Sequence, residues 1–353
     1  MPELDHDVVY FNTRLAGMRA NLFAQSTVEE MLDQGDLTAM SDRLLESAYR
    51  QEVAEALARY APADAIEDAV SRNLTATFEA LLGRAKGEYR ELVRFFLGRW
   101  DILAAKSLLR LRHHGLSPDA GAVAVVPGPT MSSALVRELA SLGTVEELVA
   151  ALVRWNPGLC AGLRRRLPEY RESNDLALLE EELDRGYFVA GMARWSASTD
   201  PNAVILRDQL AAEIDRANLR LVFQCIAGDI DAEAVSARLL PHGTLSGSLL
   251  RQMAEASDPS GAVERLAGTS YSGLVEELFQ LLQTGRFAPV ERYLDRLHLN
   301  QMRRFARRDV FGIGVLMDYV WRKYNECVNL RLVARGLAGG LPVGRVRDEL
   351  HFA

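Results

Sequence analysis

The chain has 353 residues, enough for two or three domains of roughly 100–200 residues each. Hydrophobic residues make up 48% and the formal net charge is −7, so a disordered chain is excluded and a nucleic-acid backbone is an unsuitable general partner. Cys160, Cys225 and Cys327 are widely spaced and form no CxxC pair; this excludes a disulfide framework and a zinc knuckle, and they read as small core residues of a reducing compartment.

The opening MPELDHDVVYF is acidic and lacks the basic and apolar regions of a signal peptide. No apolar run approaches the ~20 residues that span a bilayer, so a membrane is reached only through partners or the surface. Leu and Ala dominate the apolar residues, which favours helix because they lose little side-chain freedom there. The first clear helical segment, DILAAKSLLRLRHHG, covers Asp101–Gly115. GAVAVVPGP at 121–129 ends in a proline turn, and alternation is confined to 122–126, so no strand pairing is expected.

Asp200-Pro201 predicts a helix start, because Asp caps and Pro suits the first helical position. From there Leu206, Leu210, Ile214, Ala217, Leu221 and Cys225 step along one helical face, beside a polar stripe of Gln209, Glu213, Arg216 and Arg220. Gly228 predicts the stop. A third helix carries Leu316, Val320, Cys327, Leu330, Ala334 and Ala338 on its stripe and closes at Gly339-Gly340, with Pro342 beginning the next element.

These three segments are copies of one another. Asp101, Asp215 and Glu326 open them; Ala104, Asn218 and Asn329 follow three residues on, and the bases Lys106, Arg220 and Arg331 two further on. Asp101 and Asp215 stand 114 residues apart, and Asp215 and Glu326 stand 111 apart. VVPGPTMSSAL from Val125 and LLPHGTLSGSL from Leu239 keep the 114-residue interval, and Leu183–Arg185 recurs as Leu294–Arg296. A common register predicts three homologous all-α domains, 1–123, 124–238 and 239–353, each built of packed helical hairpins, with turns near 127–130 and 241–247.

Each acid and its Asn lie one turn apart, on one side of the apolar stripe. The polar residues so singled out are Asp101, Asp215, Asn218, Glu326 and Asn329. In-register recurrence favours a structural clasp between helices over a catalytic acid, since an active site seldom comes in triplicate. GxxxxGK[ST], GxSxG and HExxH are absent, and no GxGxxG follows a strand. No catalytic, cofactor or metal site is expected. His113-His114 read as a solvated helix end, and the four tryptophans as core. Arg303, Arg304, Arg307 and Arg308 form a broad basic helical face, read either as a solvated surface or as a contact for an acidic partner or lipid headgroups. Arg164-Arg165-Arg166 has the same two readings.

The segment YNECVNLRLVARGLAGGLPVGRVRDEL, Tyr324–Leu350, resembles the C-terminal signature of the C-type subunit of bacterial and archaeal V/A-type ATPases, whose eukaryotic counterpart is the d-type subunit. Tyr10-Phe11-Asn12-Thr13-Arg14 and the LAGTSYSGL stretch, Leu266–Leu274, are similar to the same family. Ala104 departs from the repeated Asn. The resemblance implies a funnel of three similar helical domains about a pseudo-threefold axis. It implies a non-catalytic rotor component seated on the cytoplasmic face of the proteolipid ring and receiving the central shaft made of the D and F subunits. Two other readings compete: a free-standing helical-repeat scaffold, for which a period near 113 is long, and an all-helical enzyme, which would need convergent polar residues unique to one repeat.

Overall fold

The computed structural model describes residues 6–117, 125–228, 231–256, 258–282 and 287–352. Residues 1–5 and most of the alternating run 122–126 lie outside the described residues. No strand occurs among the described residues; every regular element is helical.

In chain order the helices are α1 (His6–Ala20), α2 (Gln25–Gln34), α3 (Leu37–Leu45), α4 (Arg50–Leu57), α5 (Pro62–Arg84) and α6 (Gly87–His113). There follow α7 (Ser133–Ala140), α8 (Val145–Trp155), α9 (Pro157–Cys160), α10 (Leu163–Ser173), α11 (Ala177–Arg194) and α12 (Pro201–Ile226). The last are α13 (Ala232–Arg238), α14 (Gly247–Ala254), α15 (Pro259–Glu264), α16 (Val275–Leu282), α17 (Phe287–Arg308), α18 (Ile313–Ala338) and α19 (Val343–Asp348).

The starts are set by local chemistry. Asp200 accepts from the amide of Ala203, with Pro201 in the first turn of α12. Thr144 and Glu147 form a reciprocal capping box at α8. Ser132 and Ser246, at matching repeat positions, cap α7 and α14.

Two compact units divide the chain: Met1–Tyr187 with Phe305–Ala353, and Phe188–Arg304. The repeat helices α6 and α18 belong to the first unit and α12 to the second. In the first unit α18 packs against α5, α1, α2 and α3. Its Trp321 meets Trp100 of α6, with ring centroids 5.2 Å apart, and Phe78, Phe96 and Tyr324 complete an aromatic cluster around the buried Trp100. Such a cluster joins residues more than two hundred positions apart in sequence. The second unit has its own core, in which Leu219, Phe223, Met253, Leu266, Tyr271 and Leu294 are buried together. Trp155 and Trp195 are half-buried. The three cysteines are free, Cys160 and Cys327 buried and Cys225 half-buried.

Candidate functional site

The repeated acids are buried: Asp215 is 0% exposed, Asp101 2% and Glu326 6%. A carboxylate so placed loses its hydration and is tolerated only when donors replace the water. Asp101 accepts from the amides of Thr130 (3.2 Å) and Met131 (3.0 Å) and from the Thr130 hydroxyl (2.8 Å). Asp215 accepts from the amides of Thr244 (3.1 Å) and Leu245 (3.0 Å), from the Thr244 hydroxyl, and from the phenol of Tyr271 (3.0 Å). In both copies the threonine and the residue after it donate from the turn 29 and 30 residues downstream, just before the serine that caps the next helix.

A glycine lies against each acid. A Cβ at Gly128 would come closer than 3.0 Å to the backbone nitrogen and carboxyl of Asp101, and one at Gly243 equally close to the Asp215 carboxyl. Only a residue without a side chain lets these turns reach the helix.

Glu326 makes the corresponding contacts near the other end of the sequence. It accepts from the amide of Phe23 and the phenol of Tyr49, both at 2.5 Å. Phe23 precedes the first residue of the α2 start, as Met131 and Leu245 precede α7 and α14. Lys323 donates to Glu326 at 3.2 Å, and its ammonium stands 3.9 Å from the centroid of the Tyr49 ring. Burial holds the Tyr49 phenol well above its ordinary range, with Cys327 and Glu326 adding to the rise.

The asparagines act on a second turn. Asn218 exchanges both bonds with the backbone of Leu240, at 2.9 and 2.8 Å, and Asn329 does the same with His351, at 2.8 and 2.9 Å. Each partner lies 22 residues downstream. Ala104 offers no amide for this exchange.

The repeated bases lace each long helix to another. Lys106 and Arg99 pair with Asp184, and Arg110 pairs with Glu180. Arg216 pairs with Asp295 and Arg220 with Glu291. Arg331 donates to Ser71 and Arg335 pairs with Glu67. As one helix advances a turn its partner retreats a turn, which identifies three antiparallel helix pairs. The Leu-Asp-Arg repeat supplies the acids Asp184 and Asp295 of these ladders.

Thus the acids face their own chain's donors rather than a cleft. No group of three or more His, Cys, Asp and Glu residues among the described residues could hold a metal ion. His113 differs from the solvated end expected from the sequence: it is half-buried, and its Nδ1 lies 2.9 Å from the hydroxyl of Tyr170. Of the basic face, Arg303 is half-buried while Arg304, Arg307 and Arg308 are exposed at the end of α17. No described helix is long and apolar enough to cross a membrane.

Comparison with known proteins gives these laced helices a family. The sequence profile of the ATP synthase (C/AC39) subunit matches residues 11–349. The chain belongs to this family. It is 31% identical to the C-type subunit of the A-type ATP synthase of Methanothermobacter thermautotrophicus, over 83% of this chain and 76% of the relative. It is 26% identical to the same component of the Methanosarcina acetivorans A-type ATP synthase, over 97% and 92% of the two chains. It is 25% identical to the corresponding component of the V-type ATP synthase of Deinococcus radiodurans, over 98% and 91%. C/AC39 membership makes this chain a non-catalytic, structural subunit of a rotary ATPase, a machine of ATP synthesis and ion transport.

Sequence patterning marks Thr130, Met131, Thr244 and Leu245 only as members of a repeated turn and Tyr271 only within a family-like stretch, and leaves Tyr49 and Lys323 unmarked, although all take part in the clasps. The constant 29-residue interval from acid to threonine is the signal that points to the two threonines.

Proposed function

We propose that the chain is the rotor collar of the complex. It links the central shaft, made of the D and F subunits, to the proteolipid ring at the cytoplasmic face of the membrane and transmits torque between them. The three homologous domains, 1–123, 124–238 and 239–353, surround a pseudo-threefold axis as a funnel; the clasps at Asp101, Asp215, Asn218 and Glu326 tie each domain to another, and Asn329 acts within the last. The family match over residues 11–349 carries the reading. A collar under load needs stiff walls and large complementary contacts, about 800 Å² or more per partner, and no chemistry of its own. Long helices cross-linked by buried acids and ion-pair ladders supply the stiffness.

The exposed Arg304, Arg307 and Arg308, with Arg303 behind them, are one contact surface for an acidic partner or for lipid headgroups. Charge reversal at Arg304 and Arg307 then weakens assembly and reduces its salt dependence; unchanged assembly removes this surface from the proposal. The coupling role is tested by capturing the tagged chain with purified D–F shaft and with detergent-solubilised ring. A shaft–chain–ring ternary complex is expected. Binding of the folded, helical chain to neither would replace the collar with the free-standing scaffold.

A further inference from the structure

We infer that the open groove between α1 and α5 is a docking site for an acidic helical segment of another protein of the complex. The groove encloses about 630 Å³. Its walls are one face of each helix: Arg14, Gly17 and Asn21 on the α1 side, and Ala76, Ala80 and Arg84 on α5. Those positions run at helical spacing for roughly 10 Å on each side, about two turns of a docked helix.

Charge decides the occupant. The groove is lined by two arginines and no acid. Arg14 is exposed, bonds the Tyr10 hydroxyl at 3.0 Å and lies 5.9 Å from the centroid of its ring. Arg84 is exposed and bonds the Ala80 carbonyl of its own helix, at 3.1 Å. Neither guanidinium makes an ion pair among the described residues. Neighbouring arginines behave otherwise: Arg19 pairs with Asp318, and Arg72 with Glu55 and Asp68. In a chain of net charge −7, two guanidinium groups that pair with no described acid form a local cationic site over one groove. Planar guanidinium groups match carboxylates bidentately, which favours Glu and Asp side chains.

The length and mixed lining of the groove select a polypeptide over a small anion. Between the arginines lie Met18, Ala76 and Ala80 and open space at the Gly17 backbone, beside the polar Asn21, Asn73 and Thr77. A docked helix covers that surface with its own small side chains, whereas a hydrated anion leaves it wet. The inference goes beyond the collar reading and holds whichever component of the complex supplies the segment.

The test places a photo-crosslinking p-benzoylphenylalanine at Gly83, the exposed neighbour of Arg84 in sequence, with open space where a Cβ would stand. The full-length chain is assembled into the rotary complex, purified and irradiated. The expected adduct joins residue 83 to an acidic helical stretch of another protein of the complex. Its yield falls about tenfold in the Arg14→Gln/Arg84→Gln variant, as expected for the loss of charge-assisted bonds. It also falls when salt is raised from about 50 to about 500 mM. Adducts to lipid, adducts within the chain alone, no adduct, or a yield indifferent to both arginines would overturn the proposal. Since the irradiated complex has retained the chain, a missing adduct counts against the groove and leaves the collar reading standing.

Discussion

The three buried acids share a task and differ in their donors. Burial pushes the Asp101 carboxyl up to about 6, against the lowering effect of the Thr130 hydroxyl and the Met131 and Thr130 amides. An unfolded Asp titrates near ~3.9. Between those values the folded chain holds a proton that the unfolded chain has released, so this group's contribution to stability falls as pH rises from about 4 to about 6 and is constant above. The span amounts to about 3 kcal/mol as an upper bound. Asp101→Asn keeps an acceptor of the same size and cannot titrate. The stability difference, wild type minus variant, therefore declines across that window. Tryptophan-monitored urea unfolding at intervals from pH 4 to pH 7 measures it; a constant difference would mean that Asp101 is ionised throughout. Asp215 has the Tyr271 phenol as a further donor. That phenol is itself pushed above its ordinary range, by burial first and then by the neighbouring carboxylate.

Among the elements, the three repeat helices end alike. Gly115, Gly228 and Gly340 adopt φ of 64°, 87° and 60°, the left-handed conformation that closes a helix. Beyond two of them the chain returns an amide to the helix, Leu116 to the Leu111 carbonyl and Leu341 to that of Gly336. Gly340→Ala should cost about 1 kcal/mol through its positive φ. Gly344→Ala, inside α19 with free space around a Cβ, should instead gain up to about 1 kcal/mol. Thermal unfolding of the two variants should shift in opposite directions. These ends are legible in the sequence because capping residues, proline, glycine and apolar spacing act within a turn or two of where they stand. Asp200-Pro201 and Gly228 bracket α12 in the structure as in the sequence. His113 looks solvated in the sequence because its partner, Tyr170, lies 57 residues away on α10.

Over the whole molecule, legibility fails where distance in sequence grows. The acids and asparagines of the clasps stand out because they recur, and the turns recur with them, yet nothing in the repeat joins the one to the other. The turns at 127–130 and 241–247 look like mere connections in the sequence, whereas they bind the acid of the preceding helix. The boundaries 123/124 and 238/239 consequently fall between hydrogen-bonded residues, Asp101 with Thr130 and Asp215 with Thr244. In the third clasp Glu326 itself is legible but two of its donors are not, since they lie 303 and 277 residues upstream. No periodicity can announce a contact that joins the last copy to the first helices.

That closing contact predicts how the first unit comes apart. Glu326 and Lys323 each have side chains only 5% exposed, and Glu326 also receives Phe23 and Tyr49. Glu326→Ala leaves the Lys323 ammonium buried with only the Tyr49 ring beside it and strands two donors, a loss of roughly 3–5 kcal/mol. Tyr49→Phe removes one donor and keeps the ring under the ammonium, so its cost is smaller, about 1–2 kcal/mol. Native-state hydrogen exchange locates the damage. Since α18 packs on α2, α3 and α5, the Glu326→Ala variant should lose protection jointly in α2–α5 and α18, while residues 188–304, which carry their own core, keep theirs. Loss confined to α18 would mean that the helices before residue 84 stand without the clasp. Joint loss would mean that the opening helices and the last long helix form one cooperative element, held together at a single buried carboxylate.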